Sequence, residues 1–466
     1  MTAPRSYPAH ARALLGLGLP LIGGHLGQFA IQLTDTIMMG WYDVEALAAI
    51  VLGSTMFFVF FIMGSGFGLA VMPMVAAASE NGEGEVQIRR VTRMGLWLSA
   101  AFSAVTLPPL LWAEPILRAM GQTPDVARLA GQYLAIAGWG LLPGLGVMVL
   151  KSYLAALERT QMVLWIAVVA ALVNAAVNYV LIFGSFGAPE LGVRGAAIAS
   201  VSVQVVSLIG LVAYAVRVFP EHQLFVRLWR MDRGALSQVF RLGWPIGLTN
   251  LSEVGLFAAS AVMVGWLGAV PLAAHGIAME MATATFLIHL GLSNAATIRT
   301  GKALGRGDIP DLRRGAQVTV ALTVAIASVA VAVFLTWPEA MLSLFIDPDD
   351  PQKPDIIAIG TGLMMLAALF QMADGGQVAA HGLLRGLQDT RVPMVISGVT
   401  YWVVGISSGY VLGFPMGLGA AGVWCGLVLG LTASVVALMW RFWRRALPAA
   451  EARFDGQSAL MAAPTV

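Results

Sequence analysis

The first long apolar run of the chain, residues 13–37, reads ALLGLGLPLIGGHLGQFAIQLTDTI. Its only charged residue is Asp35, near the C-terminal end of the run. A helix of about 20 apolar residues is long enough to cross the hydrocarbon core of a bilayer. The run has no small-residue cleavage site and continues past Asp35, so it is predicted to be a membrane helix and not a signal peptide.

The composition of the whole chain supports a membrane protein. Of its 466 residues, 58% are hydrophobic and 11% are charged, whereas soluble domains average about 45–50% and about 25%. The high apolar content excludes a disordered chain, and Cys425, the only cysteine, excludes a disulfide scaffold. A net charge of +2 argues against a nucleic-acid partner.

Further apolar runs follow along the chain, and the predicted fold is an all-α membrane protein with twelve transmembrane helices. The loops between them are short and leave no room for a separate soluble catalytic domain. The twelve predicted spans are residues 13–37, 47–77, 92–113, 128–150, 162–184, 191–216, 241–267, 271–298, 317–337, 356–384, 392–414 and 418–441.

The distribution of basic residues predicts the orientation in the membrane, because cytoplasmic loops are enriched in Lys and Arg. With the N-terminus inside, four of the 27 basic residues, Arg118, Arg128, Arg194 and Lys353, lie outside, and the other 23 lie in the cytoplasm. Both termini are therefore expected in the cytoplasm, with the protein in the inner membrane. On this assignment no basic residue is left for the interior of a helix.

The two halves of the chain repeat each other. GLP at 18–20 returns as GWP at 243–245, and MMGW at 38–41 returns as MVGW at 263–266, both after 225 residues. Equivalent positions are six helices apart, an even number, so the halves share one orientation and are expected to be related by a pseudo-twofold along the membrane normal. The prediction is two six-helix lobes, 1–216 and 241–445, joined by a cytoplasmic linker, 217–240, and followed by a cytoplasmic tail, 446–466.

Four acids, Asp35, Glu253, Glu280 and Asp374, fall within the predicted spans. A charged group at the centre of a span costs about 2.5–3.5 kcal/mol on insertion scales, and such groups usually face a cavity or a bundle interior. Without basic partners, each acid must be protonated, hydrated or bound to a cation. Desolvation favours the neutral acid and a bound cation favours the carboxylate, so competition between a proton or sodium and an organic cation would give antiport.

Structural roles are the alternative for these polar residues. A protonated acid can serve as a hydrogen bond between helices, and Asp35, near the outer end of its span, is also compatible with an interfacial position. Asn174 and Asn178 are four residues apart, on one face of the fifth predicted helix. Their amides can ligate a cation, hydrogen-bond a drug, or join neighbouring helices.

Three segments resemble the multidrug and toxic compound extrusion (MATE) family, specifically its NorM-like branch. They are DTIMMG at 35–40, NAAVNY at 174–179 and DGGQVAAHGLLRG at 374–386. The resemblance covers about residues 10–445. It implies a V-shaped antiporter of twelve helices that exports varied, often cationic, organic compounds and draws on an inward sodium or proton gradient.

The resemblance also implies roles for individual residues. Asp35 matches an aspartate implicated in proton-linked drug release, and Asn174 and Asn178 match polar residues of the same lobe. Glu253 and Asp374 match the acids implicated in cation coupling, where Na⁺ would bind. Glu280 departs from the family pattern, which has an uncharged amide-type residue near this position, and it leaves the coupling ion open.

The predicted function is therefore multidrug efflux by alternating access between two lobes, with small organic cations or drugs and membrane lipids as partners. We expect a monomer that is not an enzyme and that needs no cofactor beyond its coupling ion. A lipid-linked saccharide flippase of the same fold would need basic residues in its cavity to hold a pyrophosphate. An intramembrane enzyme would need a paired His-Asp or Glu-x-x-His arrangement, which the spans lack.

Overall fold

The computed structural model describes residues 6–80, 84–348 and 350–462. Within these ranges the regular structure is entirely helical. Twelve of the helices are long and apolar enough to cross a membrane, which confirms the predicted number. They are α1 (Tyr7–Tyr42), α2 (Glu45–Ala78), α3 (Gly84–Leu111), α4 (Pro124–Ala156), α5 (Thr160–Phe183), α6 (Val193–Val218), α7 (Arg233–Gly265), α8 (Ala269–Arg306), α9 (Ile309–Thr336), α10 (Lys353–Gly386), α11 (Arg391–Gly413) and α12 (Gly419–Phe454).

Most of these helices extend beyond the predicted apolar runs. An apolar run ends at the first cluster of charged residues, whereas the backbone hydrogen bonds of the helix continue past it. Basic residues consequently lie inside many of these helices, among them Lys151 in α4 and Arg385 in the last turn of α10. The prediction that no basic residue is left for a helix interior is therefore wrong for the helices as the structure has them.

Contacts divide the chain into two compact units. One, here called the N-unit, is Gly23–Leu248, and the other, the C-unit, is Met1–Ile22 with Thr249–Val466. The boundaries fall inside α1 and α7, within three residues after the matched prolines Pro20 and Pro245. The predicted lobes, 1–216 and 241–445, instead place residues 1–22 in the first lobe and residues 241–248 in the second. This division into lobes stays a prediction. The last four residues of the predicted tail lie outside the described residues.

The N-unit has an apolar core in which α2 and α4 pack together, with Leu134, Leu141 and Leu145 fully buried. Beside this core, α2 approaches the first turns of α7 very closely. A Cβ on Gly66 would lie 2.3 Å from the carbonyl oxygen of Gly243, and a Cβ on Gly247 would lie 2.2 Å from that of Met63. Small residues spaced four apart allow backbones to meet in this way.

The segment between α6 and α7 belongs to the predicted linker and packs against α3 of the N-unit. The Arg93 guanidinium donates to the carbonyl of Leu224 at 2.6 Å, and the Trp97 indole donates to that of Leu228 at 2.8 Å. His222, buried in this segment, lies 2.6 Å from the Tyr153 hydroxyl through its Nδ1. These hydrogen bonds therefore fix the predicted linker to the helices of the N-unit.

The C-unit is built around α8, α10 and α12, and its largest fully buried side chains include Trp424, Tyr401 and Phe370. The Trp424 indole donates to Nδ1 of His275 at 3.0 Å, so this histidine of α8 is engaged in helix packing. A π-helical segment, Val399–Ile406, interrupts α11 and carries Tyr401.

Candidate functional site

The N-unit contains a cluster of one acid and two amides, Asp35, Asn174 and Asn178, which we call the N-site. Nδ2 of Asn174 donates to Oδ1 of Asp35 at 2.8 Å, and Nδ2 of Asn178 donates to the same oxygen at 2.5 Å. Asn178 also donates to Oδ1 of Asn174 at 3.2 Å. The structure therefore brings together all three residues predicted for this half of the chain.

Helix geometry explains how the N-site forms. The two asparagines are one turn apart on α5, so both amides project from the same face. Both are fully buried, and Asp35 is half-buried in α1, which continues to Tyr42. Two buried amides thus hold the carboxylate of Asp35. Burial favours the neutral acid while the amide donors favour the carboxylate, two opposed effects that suit reversible binding of a proton or cation.

The C-unit contains a second cluster, the C-site, between α7 and α10. Nε2 of Gln377 donates to Oε1 of Glu253 at 2.9 Å, and Nη2 of Arg385 donates to Oδ1 of Asn250 at 2.8 Å. Asn250 and Glu253 are three residues apart on α7, so they share a face of that helix. The two pairs form successive polar contacts along the interface of α7 and α10.

Asp374 completes the C-site one turn before Gln377 on α10. It is fully buried, and within the described residues neither carboxyl oxygen has a hydrogen-bond partner. Glu253 is half-buried on α7 and accepts a hydrogen bond from Gln377, one turn after Asp374 on α10. Buried polar atoms are as a rule paired, and hard cations prefer oxygen ligands. The cluster can therefore take up a proton, a monovalent metal cation or a cationic organic group.

Sequence reasoning missed several members of the C-site. Arg385 follows directly after the predicted end of its span, and its guanidinium donates to Asn250, one turn before Glu253 on α7. The inference that every intramembrane acid lacks a basic neighbour is therefore wrong for Glu253. Gln377 lies in the family-like segment that begins at Asp374, but its type alone gave no reason to select it. Tyr401, which is fully buried in the C-unit, lies in the π-helical segment, a feature common at functional sites.

Glu280 stands apart from the C-site. It is half-buried on α8 and makes no hydrogen bond or ion pair with any residue that the structure describes. The structure thus brings Glu253 and Asp374 together and leaves Glu280 outside their cluster. Across the described ranges, no three His, Cys, Asp or Glu side chains gather as they would to bind a divalent metal.

Twelve helices that could span a membrane and two polar clusters, each built around acidic residues, define a polytopic membrane protein. Comparison with known proteins identifies its family. The MatE family model matches residues 20–180 and again residues 245–411. The double match, displaced by 225 residues at its start, confirms the internal repeat. The chain belongs to the MatE family, whose members are membrane transporters, and it is not an enzyme.

Relatives and solved structures agree with this family. The chain is 44% identical over 442 residues to the "Probable multidrug resistance protein NorM" of Rhizobium meliloti, covering 94% of each chain. It is 43% identical to the protein of the same name from Agrobacterium fabrum, again covering 94% of each chain. A solved structure of MATE in the bent conformation matches with a TM-score of 0.83 and 20% identity, over 98% of this chain and 100% of that one. The eukaryotic MATE transporter AtDTX14 matches with a TM-score of 0.80 and 18% identity, over 96% and 99%.

Proposed function

We propose that this chain is a multidrug efflux antiporter of the bacterial inner membrane that exports organic cations in exchange for inward H⁺ or Na⁺. The observation that carries the proposal is the C-site, where Asp374 is fully buried beside Glu253 and has no hydrogen-bond partner among the described residues. Relatives that share 43–44% of their residues with the chain bear the name of multidrug resistance proteins.

The chemistry of the C-site supports exchange between two cations. The charged residues described at the C-site are Glu253, Asp374 and Arg385. The Arg385 guanidinium donates to Asn250, and neither carboxyl oxygen of Asp374 has a hydrogen-bond partner within the described residues. A buried uncompensated charge is strongly unfavourable, so the site is most stable when a proton, Na⁺ or a cationic drug neutralises that charge. Only one of these can do so at a time, and binding of one expels another.

Exchange becomes transport when the competing cations favour different conformations. A ligand with equal affinity for two states shifts nothing, so the drug must bind one access state better and the coupling ion the other. We propose that the C-site holds the coupling ion, with Na⁺ at Glu253 and Asp374 as the metal alternative. The N-site provides a second place where a proton or a drug competes for Asp35. Glu280 is proposed to tune the local charge of α8 without direct coupling.

The topology and assembly stay part of the proposal. The positive-inside asymmetry supports cytoplasmic termini, and a monomer is sufficient because each unit carries its own complete cluster. A lipid-linked saccharide flippase is disfavoured: Arg385 already donates to Asn250, one turn from Glu253, and this acid would repel a pyrophosphate.

The experiment is efflux of ethidium from proteoliposomes with separately imposed proton and sodium gradients. Wild type is expected to respond to at least one gradient. Glu253→Gln and Asp374→Asn are expected to lose at least tenfold of the gradient-driven rate, whereas Glu339→Gln, an exposed acid of the same unit, retains it. Wild-type efflux that is insensitive to both gradients, or full gradient-driven rates in both C-site variants, would overturn the proposal.

A further inference from the structure

A row of polar side chains on α8 faces α10 within the C-unit. His289, Ser293 and Thr297 are spaced four residues apart, so they lie on one face of α8. The Ser293 hydroxyl donates to the carbonyl oxygen of Val378 at 2.7 Å, and the Thr297 hydroxyl donates to that of Gly382 at 2.9 Å. Both bonds join residues 85 positions apart, and this constant separation defines the register of the two helices.

The same register places His289 opposite Asp374, which follows it by 85 positions. The packing at the next residue of α10 agrees with this. A Cβ on Gly375 would lie 2.8 Å from Nε2 of His289 and 2.8 Å from its Cε1. The imidazole therefore lies directly against the backbone of α10, at the residue after Asp374.

His289 and Asp374 are both buried and both unpartnered. The exposed fraction is 2% for His289 and 0% for Asp374. Neither ring nitrogen of His289 and neither carboxyl oxygen of Asp374 has a hydrogen-bond partner among the residues that the structure describes. A neutral imidazole carries one N–H donor, whereas a carboxylate only accepts. Because buried polar groups are as a rule paired, a donor and an acceptor this close together point to each other.

Gln371 is the alternative partner for His289. It lies one turn before Gly375 on the same face of α10, it is fully buried, and its amide has no hydrogen-bond partner in the described part of the chain. An amide is neutral, however, and a hydrogen bond to an ionised acceptor is about twice as strong as one between neutral groups. Asp374 is therefore the favoured acceptor.

We propose that His289 is a positioning residue for Asp374, and that its imidazole donates a hydrogen bond to the Asp374 carboxylate during the transport cycle. The inference rests on the proposed function, in which Asp374 binds the coupling ion. Rotation of the Asp374 side chain between staggered rotamers would close the pair while Ser293 and Thr297 keep the register of the helices. The hydrogen bond gives the carboxylate one orientation toward the cation that it binds.

The first test reads this contact without transport, by ¹⁵N NMR of the full chain in detergent with labelled histidine. The His289 resonance is the one that disappears in His289→Gln. It is expected to shift in Asp374→Asn and to stay in place in Gln371→Leu. The resonance of His275, identified in the same way, is the internal reference, because its Nδ1 accepts from Trp424 and it lies about 21 Å away along α8.

The second test compares gradient-driven efflux of ethidium from proteoliposomes. His289→Leu should lower the rate about tenfold, the loss expected for a hydrogen bond to a charged group. His289→Gln should recover most of the rate, because its amide donates from nearly the position of Nε2. Ser293→Ala is the matched control. It removes a buried hydrogen bond from the same row of α8, so it should lower the midpoint of thermal unfolding but keep the efflux rate of the folded protein.

Three results would overturn the proposal. They are an unmoved His289 resonance in Asp374→Asn, a wild-type efflux rate in His289→Leu, and equal losses of efflux in His289→Leu, His289→Gln and Ser293→Ala, which would mean a packing role only. Failure of the antiport itself is distinguishable from these. A His289 resonance that depends on Asp374, in a protein insensitive to both ion gradients, would support the pair and refute the antiport.

Discussion

Asp35 and Asn174 are separated by 139 residues in the sequence and are joined by a hydrogen bond of 2.8 Å. The bond ties α1 to α5 and places a half-buried carboxylate against a fully buried amide. Asn178 donates to the same oxygen, so two amides of α5 are hydrogen-bonded to one carboxylate of α1. Under the proposed function, such an acid would exchange a proton for another cation while its hydrogen-bond donors stay in place.

The amides of the N-site should control how easily Asp35 takes the charged form. Hydrogen bonds to charged groups contribute about 1.5–3 kcal/mol, so Asn178→Leu should reduce efflux about tenfold or more. Asp35→Asn should abolish the contribution of the N-site to efflux. Gln122→Leu, the loss of an exposed amide in the same unit, should leave efflux unchanged. Ethidium efflux from energised cells, normalised to protein in the membrane, measures this, and wild-type rates in Asn178→Leu would contradict it.

Arg385 should stabilise the C-site through its charge. A hydrogen bond to a charged group contributes about 1.5–3 kcal/mol, so Arg385→Gln, which loses the charge-assisted bond to Asn250, should lower the midpoint of thermal unfolding and impair efflux. Arg385→Lys should recover part of both losses because it keeps the positive charge near Glu253. The exposed Arg391 provides the control Arg391→Gln. If Arg385→Gln has the stability and the efflux of wild type, the guanidinium has no role in the site.

The close approach of α2 and α7 should not tolerate a methyl group. Because a Cβ on Gly66 or Gly247 would lie 2.2–2.3 Å from a backbone oxygen, Gly66→Ala and Gly247→Ala should each destabilise the protein by about 1–3 kcal/mol. Gly276→Ala is the control, since a Cβ there meets nothing within 4 Å. Thermal unfolding in detergent provides the comparison. Equal midpoints for all three variants would show that the helices can separate without cost.

The segment between α6 and α7 should lose stability in mild acid through His222. Burial lowers the pKa of His222, while Glu221 and Glu85 oppose that shift and Arg89 adds to it. A histidine whose pKa is lowered by folding stabilises the folded state when it is neutral, and this contribution is lost as the pH falls below about 6.5, its unfolded value. The unfolding midpoint of wild type should therefore fall between pH 7.5 and 5.5 by more than that of His222→Gln. An identical fall in both proteins would rule out His222 as the source.

The orientation can be tested at Lys353, which begins α10 and is predicted to lie outside the cell. In a background where Cys425, the only cysteine, is replaced by Ser, a membrane-impermeant maleimide added to intact cells should label Lys353→Cys. It should not label Arg230→Cys, which lies in the predicted cytoplasmic linker and is exposed. Labelling in the reverse order would invert the topology.

Much of the architecture could be predicted from the sequence because membrane insertion depends on local properties. The length of each apolar run determines whether it can span a bilayer, so the twelve helices were predicted from windows of about 20 residues. The repeat of GLP at 18–20 and GWP at 243–245 needed only a comparison of the chain with itself. Asp35, Asn174, Asn178, Glu253 and Asp374 could be selected because polar groups within apolar runs are costly.

The partners of these residues were decided by the tertiary structure alone. A hydrogen bond between Gln377 and Glu253 joins residues 124 positions apart, and no local pattern encodes such a distance. Arg385 was placed outside its span because an apolar window ends where charge begins, whereas the helix continues and carries the guanidinium to Asn250. Glu280 met the same sequence criterion as Glu253, and only the packing of α7 against α10 separates the two. The sequence determined which helices form and which polar residues they carry, because those depend on neighbours along the chain. Which of these residues meet depends on neighbours in space, and the fold decided that.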